Sequence, residues 1–433
     1  MRTESLILEQ HRKNILDAGF TAAFGGEPSR YFSAPGRTEI GGNNTDHQRG
    51  RVLAGAVNLD TVAAVRPNGT NTIRIQSKGY PLSIVQLDNL SPVAEEVNTT
   101  PALIRVESEG YAPVTFDLKD LSVHEEEKNS TAAIIRGVAA VFAKKGAVLQ
   151  GFDAKVRSTV LPGSGLSSSA AYEVLIGTII NHLFFDGRVS QAEVAQIGQY
   201  AENVFFGKPC GLMDQTASAV GNLVTIDFFD KDAPVIEPVD FDFSACGHAL
   251  CIIDSGADHA DLTDEYAAVP GEMKAVAALM GKEVLPQIPE EDFYGHIAYL
   301  RKECGDRAVM RCIHFYQENA RVPKQVAALR SGDFEGFLEL IKESGRSSWM
   351  YLQNVIPAGY KLHQDVALAL ALCDHYLAGR GAYRVHGGGF AGTVQAFVPM
   401  DLLEAFRTGI DAALGVGACH VLSIRPEGGV EAK

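Results

Sequence analysis

The chain has 433 residues, 46% of them hydrophobic, and exceeds the ~250–300 residues that one core usually organises, so two domains are expected. A formal charge of −15 excludes a general nucleic-acid surface and an anionic membrane face, because both need clustered Lys and Arg. Seven cysteines without a C-x-x-C pair fit reduced thiols in a cytoplasmic protein, and no apolar run reaches the ~18 unbroken residues of a membrane span.

Met1 to Gly19 mixes charges with short apolar runs and reads as a surface helix rather than a signal peptide. Ala34 to Gly50, A-P-G-R-T-E-I-G-G-N-N-T-D-H-Q-R-G, is polar and glycine-rich and precedes the apolar run Val52 to Val57. Two readings stand: a surface hairpin loop with solvated Arg37 and Asp46, or a sugar-binding loop whose carboxylates and amides hydrogen-bond hydroxyls while an arginine meets phosphate. Val62 to Val65 and Thr72 to Gln76 read as strands around a turn at Pro67, Asn68 and Gly69. Glu125 to Glu127 are contiguous and form a solvated loop, not a metal site. Ser130 or Thr131 caps a helix with Ile134, Ile135, Val138, Val141 and Phe142 on one face.

Phe152 to Val160 alternates as a half-buried strand, and Tyr172 to Phe184 is an almost wholly apolar helix. Between them runs L-P-G-S-G-L-S-S-S-A-A, Leu161 to Ala171. Pro162, Gly163 and Gly165 allow a tight bend and close approach, and Ser167, Ser168 and Ser169 place hydroxyls and N–H groups at the positive helix end, which suits an anion. The loop is neither a Walker motif nor a dinucleotide fingerprint. Ser190 and Glu193 form a capping box for the next helix, which carries Val194, Ile197 and Ala201.

That helix leads into A-E-N-V-F-F-G-K-P-C-G-L-M-D-Q, with Glu202 and Asp214. A helix-end glutamate is ordinarily solvated, but Asp214, between Met213 and the helical run Thr216 to Val220, needs a partner. Leu250 to Ile253 is a buried strand, and Val269 to Ala378 is mostly helical. Gly387, Gly388 and Gly389 then precede the strand Thr393 to Val398, a sign of close backbone approach.

P-G-S-G-L-S-S-S-A-A resembles the second motif of the GHMP small-molecule kinases in its galactokinase form. The galactokinase signature P-G-R-V-N-L-I-G-E-H-T-D-Y is matched at Pro35, Gly36, Arg37, Gly42, Thr45 and Asp46, with departures at Asn43, Asn44 and His47. The family's A-E-x-x-F-x-G-x-P-C-G-x-M-D-Q carries over Glu202, Cys210, Gly211 and Asp214, and its N-S-N-V-R-H-S-L-A-S-S-E-Y matches at Ser255, His259, Glu265 and Tyr266, with Asp258 in place of arginine. R-V-H-G-G-G-F-A-G resembles the third motif, with His386 for threonine and Ala391 for glycine.

The resemblance implies an α+β, two-domain GHMP kinase fold: a ribosomal-S5-like N-terminal domain, residues 1–205, and a ferredoxin-like C-terminal domain, residues 206–433, with the site between them. It implies ATP-dependent phosphorylation of galactose at C1. Arg37 and Asp214 would be catalytic, and Asn43, Asn44, Asp46, Gly211 and Tyr266 would hold the sugar. Pro162, Gly163, Ser164, Gly165, Leu166, Ser167, Ser168, Ser169 and Gly388 would hold ATP, and Ser168 and Glu202 would ligate Mg²⁺. Cys210 reads as a packed residue rather than a nucleophile.

Galacturonate is the alternative substrate, since Asn43 and Asn44 remove a carboxylate and Asp46-His47-Gln48 resembles the D-H-Q of galacturonate kinases. A non-catalytic sugar- and ATP-binding sensor would show loss of Arg37, Asp214 or the serine loop, and all three are intact. Mevalonate- or homoserine-type kinases share the phosphate loop without the first signature. The expected partners are small molecules.

Overall fold

The computed structural model describes residues 6–433 apart from 71, 78–81, 87–105, 109–110, 115–122, 124–127, 161–164, 209, 232 and 258–261. Glu125 to Glu127, Pro162, Gly163, Ser164, Asp258 and His259 therefore lie outside the described residues.

The chain opens with α1 (Gln10–Phe24), then β1 (Arg30–Gly41), β2 (Arg51–Pro67), β3 (Thr72–Ser77), β4 (Leu82–Gln86), β5 (Val106–Ser108) and β6 (Tyr111–Val114). There follow α2 (Thr131–Lys144), β7 (Phe152–Ser158), α3 (Ser168–Phe184), α4 (Gln191–Tyr200), α5 (Met213–Val220), β8 (Leu223–Asp227) and β9 (Val235–Val239). The remainder comprises β10 (His248–Asp254), α6 (Thr263–Leu279), α7 (Glu290–Gly295), α8 (Ile297–Ser331), α9 (Phe334–Ser347) and α10 (Asp365–Leu377). Last come β11 (Ala382–His386), β12 (Thr393–Pro399), α11 (Leu403–Leu414), β13 (Cys419–Leu422) and β14 (Val430–Ala432).

The large sheet has the order β14-β1-β2-β7-β3-β4-β5-β6, with β8 on β2 and β9 on β8, and its strands pair antiparallel except β3 with β7. Both faces are covered because β2 is apolar on both. Ala63 and Val65 join the core under Val138, Phe142, Leu175 and Ile179, while Val62 and Ala64 pack on Leu16 and Phe20 of α1. Such alternation along one strand is what two covered faces require.

The second sheet is wholly antiparallel in the order β11-β12-β10-β13. One face takes α10 and α11 through Ala369, Phe406 and Ile410. The other meets α9 and the first sheet in a single cluster of Ile40, Leu53, Leu250, Phe337 and Phe397. The two sheets thus share a core, and the motif-bearing segments collect at its polar edge. The architecture is α+β, as expected.

The helix signals hold. Ser130 accepts from the Ala133 N–H at 3.2 Å, and the Ser190–Glu193 capping box forms in both directions. One expectation changes. The polar stretch after Phe32 is strand as far as Gly41, because β1 follows β2 with register shifts at Pro35/Arg37 and Glu39/Gly41. The expected division at Phe205 coincides with no change of sheet: α5, β8 and β9 still build on the first sheet, and the second begins at β10. No helix among the described residues is long and apolar enough to cross a membrane.

Candidate active site

β1 brings Arg37 to the mouth of the serine loop. Its backbone N–H donates to Leu166 O at 2.9 Å, its Nη1 donates to Gly165 O, and its Nε and Nη2 each donate at 2.7 Å to the two oxygens of Asp214. One side chain therefore ties β1, the loop and α5 together. Asp214 lies in the first turn of α5, where the free N–H groups of the helix favour a carboxylate. Its side chain is 30% exposed against 9% for Arg37, so a substrate can reach it. Burial alone would raise the Asp214 pKa, but the charge and hydrogen bonds of Arg37, with a bond from Ser167, hold it below the usual carboxylate range. Burial acts to lower Arg37, and Asp214 reverses this, leaving Arg37 above its ordinary value.

Ser167 adopts φ 55° and ψ 68° just before α3, and no side chain caps that helix. The first-turn N–H groups at Ser168 and Ser169 remain available to an anion. Gly165, at φ 68°, lies so close to the third motif that a Cβ there would fall 2.7 Å from Thr393 Oγ1 and 3.0 Å from His386 Nδ1. His386 braces this contact. Its Nε2 accepts the Glu39 N–H at 3.1 Å, so the proton sits on Nδ1 and faces Thr393 Oγ1 at 2.9 Å. Burial, then Arg37 and Arg384, push its pKa well down and keep the ring neutral.

Glu202 is buried in a wide helical turn at Ala201–Phe206. Gln215 Nε2 donates to Glu202 Oε2 at 3.0 Å and to Glu173 Oε2 at 2.9 Å. Lys208 Nζ lies 3.5 Å from Glu202 Oε1. Glu173 Oε1 has no hydrogen-bond partner, and burial followed by the Glu202 charge pushes the Glu173 pKa far up. The donor set fits Mg²⁺, a hard cation that takes carboxylate oxygen and keeps waters and phosphates as its other ligands. Among the described residues no group of three or more His, Cys, Asp or Glu could hold a metal ion. Cys210 lies beside this group, 3.5 Å from Gln215 Nε2, and burial raises its thiol far above the reactive range.

In the loop after β1 the two asparagines are placed differently. Asn43 is fully buried, and its Nδ2 donates to Glu39 Oε1 at 3.0 Å and to Gly387 O at 2.6 Å. Its Oδ1 accepts from Ser348 at 3.1 Å and Asn354 at 3.0 Å. Both polar atoms of that amide have protein partners, so Asn43 braces the loop. Asn44, at φ 57°, is nearly buried, and its Nδ2 has no partner. Asp46 Oδ2 sits where a Cβ at Gly211 would be, 2.2 Å away, so Gly211 makes room for the carboxylate. Tyr266 packs on Gly388 and donates to Gly389 O at 2.9 Å, and burial pushes its phenol up to about 12. Ser168 makes no described contact with Glu202.

Sequence reasoning missed the second row of this site. Glu318 Oε1 accepts from the Gly42 and Asn43 N–H groups at 3.1 and 3.3 Å, and His314 Nε2 lies 2.9 Å from Asn43 O. Both stand on α8, inside the interval that carried no readable chemistry. Glu39 pairs with Arg384 at 2.7 Å, both buried. Only Glu173 offered a signal: it is the lone acid in an apolar helix.

Residues 133–222 match the GHMP kinases N terminal domain, and residues 18–67 match the galactokinase galactose-binding signature. A galactokinase of Streptomyces coelicolor is 29% identical over 415 residues, 95% of this chain and 96% of its own length. The fold is that of Lactococcus lactis galactokinase complexed with galactose, at TM-score 0.74, 21% identity, and coverage of 96% of this chain and 99% of that one. The mevalonate kinase of Methanococcus jannaschii shares it at TM-score 0.60 and 10% identity, over 92% of this chain and 98% of its own. A galactose-binding signature over α1, β1 and β2, followed after residue 132 by a GHMP kinase stretch that contains the serine loop and Asp214, is what the chain shares with the galactokinases.

Proposed function

We propose that the protein transfers the γ-phosphoryl group of ATP to the C1 hydroxyl of galactose. The carrying observation is the two-pronged Arg37–Asp214 pair held against the serine loop. Asp214, kept ionised and partly open, accepts or orients the C1 hydroxyl proton. Arg37 fixes that carboxylate and adds positive charge where the phosphoryl group passes. The free N–H groups at the start of α3, with Ser167 and Ser169, receive the phosphates. Ser168 and Glu202 would hold Mg²⁺, which neutralises phosphate charge when bound. Asn44, Asp46 in the room left by Gly211, and Tyr266 packed on Gly388 would line the sugar side, and Asn43 fixes the loop that carries Asn44 and Asp46.

Galacturonate is the second reading, favoured by one observation: Asn44 Nδ2 is a buried donor without a partner, which suits a carboxylate or a hydroxyl. Galactose stands first because the loop offers no unpaired Arg or Lys at positions 43 and 44. ADP release should be measured over galactose, galacturonate and C6-modified galactoses, with the product ester located by phosphorus NMR. Galactose should give the highest kcat/KM and a C1 ester. Preference for galacturonate, or an ester elsewhere on the ring, overturns the corresponding half of the proposal.

A further inference from the structure

Away from the cleft, α9 and α10 enclose a groove of about 530 Å³ over the edge strand β11. Small-molecule sites span roughly 300 to 1,000 Å³, so the groove has the capacity of one. Its walls differ in character. The α10 wall is apolar, through Leu370, Ala371 and Leu377. The opposite wall presents Arg346 and Trp349, the latter the only tryptophan of the chain and 46% exposed.

The charges at the groove are not equivalent. Lys342 is neutralised by Glu339 and Arg380 by Asp401, and Asp374 accepts the Tyr383 hydroxyl at 2.8 Å. Arg346 makes no ion pair among the described residues. Arg384 also lines the groove and has a fully buried side chain; its Nη2 holds Glu39, while Nε and Nη1 have no partner. Unpartnered guanidinium nitrogens at that depth are costly unless an acceptor arrives. In a chain of charge −15, an exposed arginine with only a longer-range attraction to Glu339, an under-satisfied buried arginine and an open indole in one groove define a ligand chemistry.

We propose that this groove binds a small flat-ringed anion, an aromatic carboxylate or phosphate monoester, with its ring on Trp349 and its charge toward Arg346 and Arg384. An indole face takes a planar ring by offset stacking, and an arginine takes either anion in its planar fork. Arg384 also holds Glu39, two residues from Arg37 on β1, so occupancy bears on the catalytic strand.

Because Trp349 is unique, its fluorescence reports the groove directly. The full-length protein should be titrated with phenyl phosphate and with benzoate, and separately with inorganic phosphate and phenol as half-ligands. At least one ringed anion should saturate a fluorescence change, about tenfold tighter than either half-ligand. The tighter of the two probes identifies the anionic group. The response should persist with saturating galactose and a non-hydrolysable ATP analogue, which separates this groove from the catalytic cleft. It should vanish in Arg346→Glu and Ala371→Phe, with kcat unchanged. Should Ala371→Phe fail to fold, Arg346→Glu, on an exposed face, carries the test alone. The proposal is overturned by no saturation up to ~10 mM probe, by a response surviving Arg346→Glu, or by displacement with the ATP analogue. Conversion of a dimer to monomer by Arg346→Glu without probe binding also overturns it and makes the groove a self-association face.

Discussion

Asp214 and Arg37 act as one unit, which sets what each substitution does. Asp214→Asn keeps the shape but loses the charge that accepts a proton and pairs with Arg37, so phosphoryl transfer should fall by ~10²–10⁴ while ATP still binds. Near-normal turnover in that variant would remove Asp214 from the chemistry. Arg37→Lys should be comparably severe, because an ammonium cannot span both carboxylate oxygens and the loop carbonyl; an unchanged kcat would make Arg37 purely structural. The pair also carries a pH signature. Asp214 is held below its ordinary value, so its stabilisation is complete above the unfolded carboxylate pKa of ~3.9 and is lost as pH falls through the depressed folded value. The Tm gap between wild type and Asp214→Asn should stay constant from about pH 5 to pH 8 and shrink below ~pH 4; a gap that widens in acid contradicts the assignment. The Arg37–Asp214 contact is legible because each residue lies in a contiguous motif. The partners of Asn43 are not legible in the same way: a motif gives position, but its amide bonds Gly387, Ser348 and Asn354, some 300 residues away in the chain.

At the scale of elements, three helical segments meet at one side-chain amide. Gln215 of α5 joins Glu173 of α3 to Glu202 in the wide turn after α4, placing the carboxylate expected at the metal by a bond the sequence does not advertise. Gln215→Met should leave both buried carboxylates short of a donor, costing about 1–3 kcal/mol. It should also raise the Mg²⁺ concentration for half-maximal rate several-fold, with partial recovery at excess metal, since water replaces a misplaced ligand. Glu202→Gln should do the same more strongly. Metal dependence identical to wild type in both variants would show that this cluster is only core. The helices themselves were readable, because caps such as Ser190–Glu193 and apolar faces such as that of α2 are local signals. β1 was harder. Its second half is polar and looked like loop, and it is strand because its buried Thr38 and Glu39 find Gln395, His386 and Arg384 on the second sheet.

Across the whole molecule, the sheets meet through an apolar cluster on one side and a buried polar seam on the other. Glu39 of β1 and Arg384 of β11 form the centre of that seam, at 3% and 0% exposure. Burial raises the Glu39 pKa, and Arg384 with Asn43 oppose that by favouring the charged form. Such a pair contributes little net stability against an apolar replacement, yet removing one partner strands the other charge. Arg384→Met should therefore cost about 3–5 kcal/mol, whereas Glu39→Leu with Arg384→Met should recover most of the loss. Urea unfolding of the wild type, both single variants and the double variant measures the coupling. The seam also ties β1 to the loop after it, because Glu39 bonds both Arg384 and the Asn43 amide. The double variant, though stable, should consequently show raised KM for sugar, because Glu39 no longer holds the Asn43 amide. A single Arg384→Met variant within about 1 kcal/mol of wild type would mean the seam closes without this pair. A double variant with unchanged KM would mean that Ser348, Asn354 and Glu318 alone set the loop.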